Sequence, residues 1–251
     1  VNNLSNFATR TVGGYAQLVG TTLNVYGTPL ADVISITSTS SLAAVVNGIS
    51  TTFTPAAVTE INIYGFTGND GITINSLLSG TALQAEGGDN NDTLTVNSSV
   101  TQGVTLVGGG GNDTMTGGAG GDTYAFDADF DLGTDTINET GAGADTLDFS
   151  STTTRGINID LSKATSQVVN AALSLVLSSA TTIENVLGGT LNDTFIGNSL
   201  ANVFTGGAGN DTYFFDTDLA LGSDTINESG IGTDTLDFGS TSTRNITVDL
   251  S

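Results

Sequence analysis

Apolar and polar residues alternate in short bursts along the chain instead of recurring every three or four positions. Ile61-Asn62-Ile63, Leu94-Thr95-Val96 and Leu173-Ser174-Leu175 show the pattern, which marks strands with one buried face. Helix signals are weak everywhere. The stretch Val168 to Leu177 is compatible with a short helix, but its Leu-Ser-Leu alternation favours a strand. No apolar run approaches the roughly 18 residues of a membrane span; the best, Ala171 to Leu177, contains a Ser. The pattern predicts an all-β chain of many short strands.

These strands recur in a nonapeptide with Asp or Asn at position six and an apolar residue at position eight. Copies start at residues 27 (GTPLADVIS), 65 (GFTGNDGIT), 87 (GGDNNDTLT), 108 (GGGGNDTMT), 117 (GGAGGDTYA), 188 (GGTLNDTFI), 197 (GNSLANVFT) and 206 (GGAGNDTYF). Position six is Asp in seven of the eight and Asn202 in the other, and shorter Asp-Thr-apolar units follow at Asp135, Asp145, Asp224 and Asp234. A longer period overlies this one. Segments 117–162 and 206–251 align without gaps at an offset of 89 and are identical at 32 of 46 positions. A match of that length is a duplication.

GGGGNDTMT and GGAGNDTYF carry every fixed position of the G-G-x-G-x-D-x-U-x signature, where U is a large apolar residue. On these residues the chain resembles the RTX (repeats-in-toxin, hemolysin-type calcium-binding) family. The resemblance is dense over 87–251 and thin before residue 65; the copies at 27, 65 and 197 depart from the glycine pattern. It implies a calcium-binding domain exported unfolded by type I secretion and folded in calcium-rich medium, hence an extracellular or cell-surface location and a bacterial source.

Elementary chemistry points the same way. Glycines at the start of each repeat permit left-handed, tightly turned backbone. Such turns expose carbonyl oxygens, and the Asp adds a carboxylate. Ca²⁺ takes about 6–8 oxygens, more than one turn offers but within reach of two stacked turns. The candidate ligands are Asp92, Asp113, Asp122, Asp193 and Asp211, then Asp135, Asp145, Asp224 and Asp234, with Asp70 beside them. For Asp32 and Asp70 capping of the turn by the side chain is the expected role, and Asn202, uncharged, predicts a weak or empty site. Asp70, Asp92, Asp113 and Asp135 are 22, 21 and 22 apart; Asp193 and Asp211 are 18 apart. The spacing predicts a parallel β-solenoid with coils of about 21–23 residues and two rails of acidic turns; the expected fold class is an all-β, right-handed parallel β-solenoid (β-roll or β-helix).

Composition sharpens the picture. The chain has 251 residues, 26 Asp and Glu against 4 Lys and Arg, a net charge of −22, 34 Gly, and no His, Cys or Trp. No disulfide, thiol, zinc or histidine chemistry is available, and nucleic acid and anionic membranes would be repelled. Residues 1–85 hold only Asp32, Glu60 and Asp70 of the acids. The predicted organisation is acid-poor coils over 1–86, a first calcium-binding unit over 87–162, a connecting β segment over 163–187 and a second unit over 188–251. Asp127, Asp129 and Asp131 form an acidic cluster suited to a metal or, less well, to paired-carboxylate hydrolysis, and Arg155 and Arg244 are placed to pair with acids. The start at Val1 reads as a processed protein or fragment, and the stop at Ser251, aligned with Ser162, as an uncapped end that invites end-to-end or lateral self-association.

The expected function is a non-enzymatic, extracellular, calcium-binding structural module of a repeat protein or fibre. The alternative is the calcium-dependent tail of a secreted enzyme or toxin. An ice-binding solenoid is disfavoured because position two carries no row of threonines.

Overall fold

The computed structural model of the chain describes residues 13–139, 141–228 and 230–248. All eight apolar residues at position eight of the nonapeptides, from Ile34 to Tyr213, are at most 1% exposed. They stack with their neighbours into one continuous hydrophobic core running from Leu23 to Tyr213. Alternation therefore does what it predicts: one side of each short strand is buried and the other faces solvent.

The strands form three sheets. The first stacks Tyr15–Val19, Thr22–Tyr26, Glu60–Thr67, Ala82–Asp89, Thr105–Gly110, Thr123–Ala125, Thr146–Asp148, Asn185–Leu187, Val203–Thr205 and Thr225–Asn227. The second includes Val33–Ser38, Gly71–Ser76, Thr93–Val96, Thr114–Thr116, Gly133–Asn138 and Leu173–Leu177 in that order. The third stacks Asn158–Asp160, Thr194–Ile196, Thr212–Phe214 and Thr235–Asp237. From Thr22 onward every neighbour in the first sheet is parallel, as are all pairs in the third. The chain is a parallel β-solenoid.

Its coils change shape along the axis. Up to Asp148 the chain alternates between the first and second sheets. It then makes one long coil, from Thr146 to its partner Asn185, that touches all three sheets in turn. Beyond it the chain alternates between the first and third. Val168 to Leu177 lies in this coil as strand, Gln167–Val168 and Leu173–Leu177, as its alternation predicts. Asp32 and Asp70 are one coil apart despite a separation of 38 in sequence, because Leu42–Val46 and Ile49–Phe53 add an antiparallel hairpin.

Two expectations change. Steps of 18 residues also join Val104 to Asp122 and Asn185 to Val203; a count of acids misses them because at least one partner in each is not an Asp. Three acidic ladders run along the solenoid instead of two, since the third sheet brings its own. Threonines do stack in rows on the second sheet, Thr93, Thr114 and Thr136 in register beside Thr95 and Thr116, at positions seven and nine rather than two. The Ser251 end, like residues 1–12 of the acid-poor region, lies outside the described residues.

Candidate metal-binding turns

Each position-six Asp after Asp32 is first a rung between coils: its Oδ1 accepts the backbone N–H of the corresponding residue one coil earlier. On the first ladder Asp70, Asp92, Asp113 and Asp135 accept from Asp32, Asp70, Asp92 and Asp113 at 2.7, 2.7, 2.8 and 2.9 Å. On the second Asp122 accepts from Val104 at 2.9 Å, Asp145 from Asp122 at 2.7 Å, and Asp224 from Asn202 at 2.9 Å. On the third Asp193, Asp211 and Asp234 accept from Ile157, Asp193 and Asp211 at 2.8, 2.8 and 3.0 Å. A second ladder of side chains runs the opposite way on the outside. The N–H groups of Asn112 and Asn210 donate to Asn91 and Asn192 Oδ1, both at 2.8 Å. The Asn-Asp pair of the repeat thus ties each turn to the coils on both sides.

The other carboxylate oxygen divides the turns into two kinds. In turns 27–32, 117–122, 188–193 and 197–202 the position-two N–H donates to the position-six side chain at 2.5, 2.6, 2.7 and 2.9 Å. These turns are self-capped. In turns 65–70, 87–92, 108–113 and 206–211, positions two and four instead take the left-handed conformation: Phe66 and Gly68, Gly88 and Asn90, Gly109 and Gly111, Gly207 and Gly209. There Oδ2 of Asp70, Asp92, Asp113 and Asp211 is buried without a hydrogen-bond partner, as is that of Asp135. A Cβ on Gly87 or Gly108 would come within 2.3 or 2.4 Å of the Oδ2 of Asp92 or Asp113, so the first glycine of the repeat makes room for that oxygen.

What lies beneath a turn decides its kind. The self-capped turn at 117 rests on the loop around Val100, whose carbonyl takes the Ala119 N–H at 2.7 Å. The one at 188 rests on Thr152, whose carbonyl takes the Thr190 N–H at 3.1 Å. Each open turn instead has another repeat turn beneath it: a Cβ on Gly109 would meet the Gly88 carbonyl oxygen at 2.0 Å, and one on Gly111 the Asn90 oxygen at 2.1 Å. Stacked repeat turns thus bring carbonyl oxygens and a free carboxylate oxygen into one column.

A buried carboxylate oxygen without a donor is costly unless neutralised. Burial pushes Asp92 up to about 7, against the hydrogen bond from Asp70 and helped by the charge of Asp113. Burial likewise raises Asp70 and Asp113 to about 6 and Asp135 to about 8. Asp145 and Asp193 rise to about 7 for the same first reason. The donor set is all oxygen, hard and partly dehydrated, with unpaired acceptors already inside it. Ca²⁺ fits this chemistry better than softer metals do.

The remaining candidates have other surroundings. Asp32 is capped as expected, by Thr28 and by the Asn47 amide at 2.5 Å. Asp70, for which capping was also expected, has the open turn. Asp193 has both oxygens on backbone N–H groups. Asn202 sits in its ladder with its amide donating to the carbonyls of Ile183 and Glu184 at 3.3 and 3.2 Å. Asp122 with Asp145, and Asp211 with Asp234, are each drawn together around a glutamate, Glu139 or Glu228. Sequence reasoning missed both glutamates; their identity across the duplication, in TINET and TINES, was the available signal.

In the acidic cluster after Tyr124 the middle acid, Asp129, is taken up by hydrogen bonds. Asp129 accepts from the N–H and hydroxyl groups of Thr153 and Thr154 at 2.7 to 2.9 Å. Asp218 does the same with Ser242 and Thr243, and the Thr243 hydroxyl and Ser242 N–H hold its carboxyl well below the usual range. Arg155 donates to the Ala128 carbonyl at 3.3 Å instead of pairing with an acid. Among the described residues the ion pair is Lys163 with Asp160, at 3.3 Å.

No curated protein matches the chain. Residues 136–250 match the family model of the Peptidase M10 serralysin C terminal. That model is an RTX-type calcium-binding repeat domain, the non-catalytic C-terminal region of serralysin-type proteins. Parallel coils, Asp-bearing glycine turns and the match over residues 136–250 agree: that part of the chain is similar to the RTX-type repeat domain of the serralysin C terminal.

Proposed function

We propose that the chain is an extracellular structural module whose stacked turns are locked by Ca²⁺. The observation that carries this reading is the run of unpartnered, buried Oδ2 atoms on four consecutive coils, Asp70, Asp92, Asp113 and Asp135. These residues, with Asp211 and the turn carbonyls, would hold the ions. Bound cations supply the positive charge that turns a column of repelling carboxylates into a cross-link, and they stabilise the fold with the logarithm of free calcium over Kd. RTX repeat domains belong to proteins exported by type I secretion, which supports placing this module outside the cell.

Self-association is part of the proposal. Ile246 and Val248 are 40% and 47% exposed, whereas Ile157 and Ile159, their counterparts in the first copy, are 2% and 0% exposed under a following strand. A strand of a second molecule laid on this edge would cover them. The second reading, a folding tail of a secreted enzyme, is favoured by the match to a protease C-terminal region.

Calcium titration followed by circular dichroism and light scattering tests both. The expected result is β signal that develops with calcium, together with scattering that rises with protein concentration. Equal folding in chelator and calcium would refute the calcium lock. A strict monomer at high concentration in calcium would refute self-stacking and leave the tail reading.

A further inference from the structure

A groove of about 460 Å³ lies on the outer face of the first sheet, over the coils at Ala82–Asp89 and Thr105–Gly110. Its floor is bare backbone at Gly88, Gly109 and Gly110. One wall is aromatic. Tyr64 and Phe66 stack with ring centroids 6.4 Å apart, and Tyr26 of the preceding coil stacks on both, at 5.4 and 6.3 Å. That stacking turns the far faces of Tyr64 and Phe66 toward the groove. Phe66 stands at φ 81°, a left-handed conformation that is strained for a bulky residue, and it is 48% exposed. The other wall is the loop 126–132, which brings Phe130, 67% exposed. Phe66 aligns with Gly88 and Gly88 with Gly109, and the next coil runs into this loop. The walls are thus three coils apart. At the usual strand spacing that is about 14 Å, wide enough for one flat or extended group.

Four carboxylates line the same groove: Glu86, Asp89, Asp127 and Asp131. Asp129 shows how two of them are held. It is tied to Thr153 and Thr154, and its N–H donates to Asp127 Oδ1 at 3.3 Å, so the loop is anchored with Asp127 and Asp131 on either side. Among the described residues the ion pair lies elsewhere, at Lys163 and Asp160, and Arg155 donates to the Ala128 carbonyl. The groove acids therefore have no cationic partner within the described chain. The duplication does not repeat the arrangement, since Phe130 and Asp131 become Leu219 and Ala220. Packing of the repeat alone does not demand it.

We propose that this groove binds an arginine-bearing segment of a basic polypeptide, with a guanidinium stacked on the aromatic wall and paired with the flanking carboxylates. A guanidinium is planar, stacks on aromatic faces and meets a carboxylate through two parallel N–H donors. A lysine ammonium satisfies the charge but not the stack. A second copy of this chain is a poor occupant, because two chains of charge −22 repel each other. A neutral sugar would stack on the rings but leave four carboxylates uncompensated. The groove is separate from the buried Oδ2 atoms of the turns and does not rest on their metal.

Isothermal titration calorimetry tests this on the full chain in millimolar calcium, with tetra-arginine, tetra-lysine and maltotetraose as the probes. Tetra-arginine is expected to bind several-fold more tightly than tetra-lysine, and maltotetraose not to bind. Phe130→Ala, at an exposed position outside the core, is expected to weaken tetra-arginine binding about five- to thirty-fold. Glu86→Gln is expected to weaken it more than Glu60→Gln, which removes the same charge from the far end of the neighbouring strand Glu60–Thr67. Equal losses at Glu60 and Glu86, or equal binding of the two peptides, would mean diffuse attraction to an acidic surface and would overturn the proposal. Undiminished binding to Phe130→Ala, or binding of maltotetraose in place of the peptide, would overturn it too. So would loss of peptide binding as calcium is raised at constant ionic strength, which would give the groove acids to the metal.

Discussion

In chelator the chain is expected to lose stability as pH rises from about 5 to about 8, and in millimolar calcium to gain it over the same interval. Asp70, Asp92, Asp113, Asp135, Asp145 and Asp193 are raised from the ordinary 3.8 to between about 6 and about 8 in the fold. Between those limits the folded chain holds protons that the unfolded chain releases. Their contribution is therefore fully present below the unfolded value and is lost as pH climbs through the folded one. One carboxyl raised to about 7 gives up on the order of 4 kcal/mol across that range. Total stabilities run to about 5–15 kcal/mol, so a few such groups suffice to unfold the metal-free chain near neutrality. Calcium competes with the proton for the same oxygens and binds the deprotonated form, which inverts the slope. Urea melts at several pH values, with chelator and with calcium, check this; slopes of the same sign in both would contradict it.

The second large effect is expected at Gly109. Its φ is 101°, and a Cβ there would sit 2.0 Å from the Gly88 carbonyl oxygen of the turn beneath. Gly80 has a comparable φ of 84° with nothing within 4 Å of its Cβ position. Gly80→Ala thus carries the left-handed penalty alone, about 1–2 kcal/mol. Gly109→Ala adds an overlap with backbone, a further ~1–3 kcal/mol, and separates two turns that should share an ion. Thermal melts in calcium are expected to show Gly109→Ala the more destabilised by a wide margin. Its calcium-induced folding midpoint should also move upward further than that of Gly80→Ala. Equal losses at the two positions would mean that turn stacking carries no special weight.

Much of this architecture is legible in the sequence because its two signals are local. Position eight is apolar and buried in every nonapeptide, and Asp spacing reports coil length wherever both partners are acidic. Where one partner is Val104 or Asn202 the count fails, and the 18-residue steps and the second ladder's full course stay hidden. The division of labour within each Asp is not legible either. GGAGGD at 117 and GGAGND at 206 differ by one residue, yet Gly118 caps Asp122 while Gly207 turns left-handed and leaves Asp211 open. The difference comes from what each turn rests on, a loop around Val100 or the repeat turn at 188, and so from contacts distant in sequence. The copy at 65 makes the same point in reverse. Its Phe66 breaks the glycine pattern, but stacking still holds it left-handed at φ 81°.

The central claim is that the free Oδ2 atoms on the first ladder are calcium ligands. Anomalous scattering from crystals grown in millimolar calcium tests it most directly. The account predicts peaks between consecutive turns, beside the Oδ2 of Asp92 and Asp113. A folded chain in saturating calcium with no anomalous density at those oxygens would contradict it.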